Sequence, residues 1–240
     1  MLKQISVFDI LFLDIETVPA EPDFDSLPSH IKEFWEKRSA SFRKENESSS
    51  DVYHRAGLYA EFGKIICISV GIINRVKKEN YFRVKSFFGD DEKKLLSDFS
   101  EMLRNYLNRK EILLCAHNGI NFDFPFIARR MVIHGIELPD ILDTAGKKPW
   151  DSRFIDTMDL WKFGEYRHAV SLDLLAELFG IETPKEEMNG SMVSAVYWEE
   201  KNLQKIGSYC EQDVLCVAQI ILKFKGLESI PTKNVQSITE

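Results

Sequence analysis

The sequence predicts an α/β domain: one mixed β-sheet flanked by helices, with a helical insertion after the first strand. Three observations lead there. Apolar or alternating runs come early, at 5–15, 64–70 and 81–88. Helical and strand-like patterns then alternate towards the C-terminus. Between them, Ile112-Leu-Leu-Cys-Ala116 is a short continuous apolar run, the pattern of a strand buried on both faces. At 240 residues with 44% hydrophobic content, the chain is long enough to bury one sizeable core of this kind.

The first strand spans 5–15. A polar, helix-prone stretch from about 29 to 61 follows, with Ser48-Ser-Ser50 as a loop, so 18–60 reads as an insertion. Lys64–Val70 and Tyr81–Phe88 alternate and form a hairpin around Asn74 to Asn80. Asp90 caps a helix whose Leu95, Phe99, Met102 and Tyr106 share one face. Pro125 marks a helix start and Gly135 its stop. A strand follows at 153–157, then a helix from Ser171 to Phe179 closed by Gly180, and a last helix from about Glu200 to Lys225. With no internal repeat or long linker, one domain covers 1–228 and a tail covers 229–240.

Charge and cysteine usage narrow the function classes. A net charge of −7 argues against a protein that coats nucleic acid non-specifically, which takes many lysine and arginine contacts to phosphate. It leaves room for an enzyme acting on one chain end with metal ions cancelling charge locally. Cys67, Cys115, Cys210 and Cys216 form no CxxC and cluster with no histidine, so neither a zinc site nor a disulfide framework is expected, and a reducing cytoplasm fits. No run approaches the length of a membrane span, and no membrane partner is expected. The first apolar run contains Asp9 and Asp14 and lacks a small-residue cleavage site, so it does not read as a signal peptide.

The informative acids begin with Ile10-Leu-Phe-Leu-Asp-Ile-Glu-Thr17. Six acid-x-acid triplets occur, starting at Asp14, Glu21, Asp23, Glu45, Asp90 and Glu211, and only the first ends an apolar strand. Side chains at i and i+2 of a strand point the same way, so Asp14 and Glu16 repel each other unless a cation sits between them. The plain alternative is a strand end with two solvated acids. A second cluster, His117-Asn-Gly-Ile-Asn-Phe-Asp-Phe-Pro-Phe126, follows the apolar run directly. Asp123 there could simply cap a helix, yet a strand-to-helix junction is also where α/β enzymes place chemistry. The third is Tyr209-Cys-Glu-Gln-Asp213, whose Tyr209 and Asp213 share a helix face with Cys216 and Ile220. A surface Tyr–Asp hydrogen bond is the alternative there. His117 reads as a satisfied strand-end histidine, and His168 matches no catalytic slot.

Taken in sequence, Leu13-Asp-Ile-Glu-Thr17, Asn118-Gly-Ile-Asn-Phe-Asp123 and Tyr209-x-x-x-Asp213 resemble the three motifs of the DEDD 3′–5′ exonuclease superfamily. The chain is similar to the proofreading exonuclease domain of family-B DNA polymerases and, more narrowly, to stand-alone predicted exonucleases related to it. The resemblance runs from about residue 8 to 224 and includes Glu61-Phe-Gly-Lys-Ile-Ile-Cys-Ile-Ser-Val70 and Ser171-Leu-Asp-Leu-Leu175. One version of the family carries histidine five residues before the last aspartate, where this chain has Ser208. Tyr209, four before it, makes this the tyrosine version.

The resemblance implies a ribonuclease-H-like fold and two divalent ions, Mg²⁺ or Mn²⁺, held by Asp14, Glu16, Asp123 and Asp213. It implies Asp14 between the ions, Glu16 and Asp213 at the ion that activates water, and Asp123 at the other. Tyr209, with an ordinary pKa of about 10, is expected to orient the water rather than deprotonate it. The implied reaction is 3′–5′ hydrolysis of single-stranded DNA to nucleoside 5′-monophosphates. RNA or short oligonucleotides, or a non-catalytic nucleic-acid-binding domain of the same fold, are the alternatives. Candidate substrate contacts are Thr17, Asn118, Phe122, Phe124 and Lys185, with Lys147 and Lys148 behind them. Core packing is the alternative for the two phenylalanines, and a solvated surface charge for the lysines.

Overall fold

The computed structural model describes residues 4–165, 169–182 and 188–239. Six strands form one mixed sheet: β1 (Ile10–Pro19), β2 (Gly63–Val76), β3 (Glu79–Phe88), β4 (Leu113–Ala116), β5 (Phe154–Asp156) and β6 (Val235–Ser237). Their order is β5-β4-β1-β2-β3-β6. β1 pairs antiparallel with β2, and β2 with β3; β4 runs parallel to both β1 and β5, and β6 runs parallel to β3. The helices are α1 (Ser29–Ser39), α2 (Glu92–Leu107), α3 (Asp123–Ile133), α4 (Thr157–Lys162), α5 (Leu172–Phe179), α6 (Val193–Ala195) and α7 (Leu203–Phe224). Among the described residues no helix is long and apolar enough to cross a membrane. The α/β class expected from the sequence is the one observed.

Strand alternation sets the two layers. Leu11, Leu13 and Ile15 of β1 pack with Leu96 and Phe99 of α2 and Ile127 of α3 on one face. Phe12 packs with Phe82 of β3 and with Val214, Val217 and Ile221 of α7 on the other. Asp14 and Glu16 share the face of Phe12 and therefore look towards α7. β2 and β3 are joined by Lys77-Lys78, both at positive φ (48° and 74°), the two-residue geometry that matches strand twist. The hairpin is thus tighter than the 74–80 turn expected.

Several local expectations shift. β1 starts at Ile10 after a 3-10 turn (Val7–Asp9) and runs to Pro19, so Asp14 and Glu16 lie within the strand rather than at its end. The cap of α2 is Asp91, which accepts from Lys94 N; Asp90 accepts the Tyr197 hydroxyl at 2.8 Å instead. The buried stripe of α2 is Leu95, Leu96, Phe99 and Leu103, leaving Met102 and Tyr106 at its margin. The segment read as a tail supplies β6. Gln219 of α7 holds it there, its amide donating to Ile230 O (2.8 Å) and accepting from Ile230 N (2.9 Å).

The insertion contains α1 and a 3-10 turn, Tyr53–Leu58, around its own aromatic core. Trp35 sits there, fully buried, edge-on to Tyr53 and Phe62, and donates its indole N–H to Ser49 O at 2.8 Å. Gly57 packs so close that a Cβ would lie 3.1 Å from the Val18 carbonyl carbon. A buried ion pair ties the insertion to the main body. Glu92 accepts from Arg130 Nε (2.8 Å), from His134 Nε2 (2.8 Å) and from Ile65 N (2.7 Å), while Arg130 Nη1 donates to Ala60 O at 2.9 Å.

Candidate active site

The site forms where β1 loses a neighbour. Pairing between β1 and β4 stops at Phe12↔Cys115, and the chain after β4 turns away through 117–122 into α3. The gap at the carboxyl ends of these parallel strands opens beside Asp14, the position at which open α/β sheets hold ligands. β2 covers the other edge, pairing Asp14 with Ser69 and Glu16 with Cys67, with a register shift at Glu16/Thr17.

Four carboxylates from three elements converge on the gap. Asp14 and Glu16 come from β1, and Glu16 is only 8% exposed. Asp123, 3% exposed, turns back from the first turn of α3 and accepts the Ile15 backbone N–H at 3.2 Å. It is not the helix cap: Phe122 holds that position without a side-chain cap bond. Asp213 comes from α7 and accepts the Tyr209 hydroxyl. Cys210, one residue beyond Tyr209, donates its Sγ–H to Asp14 Oδ2 at 3.4 Å. Single ligand atoms of Asp14, Glu16 and Cys210 all lie within 4.8 Å of one another.

The electrostatics register the convergence. Burial, then the charges of Asp123, Asp213 and Glu16, push Asp14 well above the usual carboxylate range. Burial, then Asp213, Cys67 and Asp123, do the same to Glu16. Burial lifts Asp123 to about 7 against the backbone N–H bonds it accepts, and lifts Asp213 to about 7 against the Tyr209 hydrogen bond. Burial and the charges of Asp213, Glu16 and Asp14 also raise Tyr209, which stays a protonated phenol. None of the four acids forms an ion pair with lysine or arginine among the described residues. Buried carboxylates without a cation are unfavourable. An all-oxygen set of this kind fits hard divalent ions such as Mg²⁺ or Mn²⁺.

The remaining predicted residues fall in different places. Asn118 adopts φ 61°, its N–H donates to Asp156 Oδ1 at 2.8 Å, and its Oδ1 accepts from Asn121 Nδ2 at 3.0 Å. Thr17 donates its hydroxyl to Gly57 O at 2.7 Å, towards the insertion. Phe122 is half-buried against Phe126. Phe124 is 1% exposed and stacks on Phe154 at 4.2 Å, so the base-stacking candidate is corrected to a core residue: it has no face left for a nucleotide. Lys185 and His168 lie outside the described residues. Lys147 and Lys148 are exposed. His117 is satisfied as expected: Nε2–H donates to Val170 O and Nδ1 meets the Thr157 hydroxyl, both at 2.8 Å, and burial holds its pKa below the ordinary value.

Two residues escaped the sequence reading. Asp156, closing β5, is 3% exposed and accepts from Asn118 N, Ile120 N (3.1 Å) and Met158 N (2.9 Å), so it holds the loop that delivers Asp123. Its signal was an acid at the end of a strand with a threonine after it, Phe154-Ile-Asp-Thr157. Cys210 was read only as one of four scattered thiols, and nothing in its local pattern places it beside Asp14.

A family model described as a predicted 3′–5′ exonuclease related to the exonuclease domain of PolB matches residues 58–235. No match was found among curated proteins. The matched region contains Asp123, Tyr209 and Asp213 and begins after β1. The sheet itself sets Asp14 and Glu16 against it.

Proposed function

The chain belongs to this family of predicted 3′–5′ exonucleases, hydrolases acting on nucleic acid, and on that basis we propose the finer reading. The protein removes nucleotides from the 3′ end of single-stranded DNA, releasing nucleoside 5′-monophosphates. One observation carries this beyond family membership: four acids from β1, α3 and α7, buried or half-buried, converge without a lysine or arginine partner among the described residues, and all four have raised pKa values.

Asp14, Glu16, Asp123 and Asp213 would hold two divalent ions, which when bound acidify a water molecule and offset charge on the phosphate and leaving oxygen. The residues themselves do the positioning. Asp123 is held by the Ile15 N–H and Asp14 by the Cys210 thiol, so both carboxylates are oriented before any ligand arrives. The single O–H of protonated Tyr209 donates to Asp213 here, and with Asp213 engaged by an ion it would turn to the attacking water or the scissile phosphate. Tyr209 does not serve as the base there, because burial and then the charges of the same acids push its pKa up and leave the phenolate unpopulated.

The experiment uses a 5′-labelled DNA oligonucleotide and its RNA counterpart, each with Mg²⁺, Mn²⁺ or EDTA. A descending ladder on DNA, absent with EDTA and in Asp213→Ala, is expected. A ladder on RNA alone would reassign the substrate, and no ladder on either would remove the nuclease reading.

A further inference from the structure

A pair of lysines without an ion-pair partner among the described residues lies beside the row of acids on the same sheet face. Directly opposed residues of an antiparallel pair point to one face, so Asp14 with Ser69, Glu16 with Cys67 and Val18 with Lys64 form successive rows. Lys64 is one row beyond Glu16, about 7 Å along the strand. Tyr197 and Trp198 cover this row, with Tyr197 packed in the same apolar cluster as Val18 and Cys210.

Two ammonium groups share these rings. Lys64 Nζ lies 4.8 Å from the Tyr197 centroid and 4.5 Å from that of Trp198; Lys201 Nζ lies 5.8 and 5.0 Å from the same two. Neither lysine forms an ion pair among the described residues. The acids whose fields reach Lys64 are engaged elsewhere or stand off: Asp90 accepts from Tyr197, Glu92 is paired with Arg130, and Glu21 forms no bridge to it. Burial holds the Lys64 pKa down, with the Lys201 charge pushing the same way.

The backbone that presents Lys201 is also unusual. Residues Val196–Glu200 form a π turn, and Lys201 follows in the left-handed region at φ 55°, an uncommon conformation for a lysine. The Trp198 indole N–H, though shielded, donates to no described group. Beyond Lys201 a groove of about 410 Å³, lined by Asn202, Lys205, Ser208 and Tyr209, runs along α7 back towards the acids.

We propose that Lys64 and Lys201, seated on Tyr197 and Trp198, form a phosphate-binding site that holds the substrate strand a short way upstream of its 3′ end. Two cations that form no ion pair among the described residues, seated on one aromatic platform, are matched by an anion between them. The strand path follows from the geometry, since the platform continues the row of Asp14 and Glu16, and the groove that reaches Tyr209 begins at Asn202, the residue after Lys201. The site rests on the nuclease reading for its occupant, a nucleic-acid backbone.

The test measures binding of a 5′-fluorescein-labelled single-stranded DNA by anisotropy in Ca²⁺, across a salt series, alongside cleavage in Mg²⁺. The variants are Lys64→Gln, Lys201→Asn (asparagine tolerates the left-handed region), the double, and Lys93→Gln on α2 as a net-charge control. The double variant is expected to bind about tenfold more weakly than wild type and to lower the salt slope by about 1.4, roughly 0.7 for each lost phosphate contact. Melting temperatures confirm that each variant folds. The double variant binding as tightly as wild type with an unchanged slope, or Lys93→Gln weakening binding equally, overturns the site. If wild type binds but does not cleave while the double variant loses binding, the phosphate site stands and the nuclease reading falls. Wild type failing to bind at all removes both.

Discussion

Asp123 Oδ1 accepts the backbone N–H of Ile15 at 3.2 Å, joining the first turn of α3 to the strand residue that separates Asp14 from Glu16. A bond across 108 positions of sequence places a third carboxylate beside the two on β1. Asp123→Asn keeps an acceptor for Ile15 N and removes the charge. It is expected to fold, to lose Mn²⁺ binding by calorimetry and to lose about 10²–10³ in rate, the scale of several kcal/mol of transition-state stabilisation. Wild-type Mn²⁺ affinity in this variant would show that Asp123 serves the fold alone.

The acids should set the pH dependence of metal-free stability. Asp123 and Asp213 titrate near 3.8 when unfolded and near 7 when folded. Between those values the folded state binds more protons, so stability falls as pH rises through that window and levels off above about 7. Asp14 and Glu16 act in the same direction. In EDTA the melting temperature is expected to be lower at pH 8 than at pH 5.5. Asp213→Asn should raise it at pH 8 while abolishing cleavage. A metal-free protein that becomes more stable over this range would contradict the buried-acid cluster.

Metal binding should release protons for the same reason. Calorimetric titration with Mn²⁺ at pH 6.5 in buffers of different ionisation enthalpy is expected to show net proton release, diminishing by pH 8.5. Heats independent of buffer at pH 6.5 would mean that the carboxylates are already ionised.

Tyr209→Phe should slow cleavage by about 100-fold, the low end for one positioned group in proton-transfer catalysis. The phenol stays protonated across the working range, so the pH–rate profile from 6 to 9 should fall uniformly and keep its shape. Loss of a limb of that profile would assign the proton transfer to Tyr209.

Arg130→Met leaves Glu92 buried beside Ile65 N without its cation. Breaking a buried pair from one side costs about 3–5 kcal/mol, which corresponds to a melting temperature about 10 °C lower at this chain length. Glu92→Gln combined with Arg130→Met should recover part of the loss. A change below 2 °C in the single variant would show that the pair is not buried in solution.

The amphipathic periods, the capped helix Leu172–Phe179 and the acids Asp14, Glu16, Asp123 and Asp213 were legible because each is a local pattern: spacing, a cap residue, or a charge set in an apolar run. The choice between Asp90 and Asp91 as cap was not, since both are competent and Tyr197, 107 positions away, claims Asp90. Phe124 could not be told from a stacking residue until Phe154 was placed against it. β6 was missed because three residues carry no period, and Gln219 holds them from another element.

Residue order alone thus marked most of the strands and helices and the four acids that the fold brings together, since backbone preference and face alternation act over a few residues. Folding in three dimensions chose the partners: Asp123 with Ile15, Cys210 with Asp14, Glu92 with Arg130, and Lys64 with Lys201 over Trp198. Each pairing spans tens to nearly two hundred positions. Its energy comes from burial and charge in a shared low-dielectric space, which exists only after the helices have closed on the two faces of the sheet.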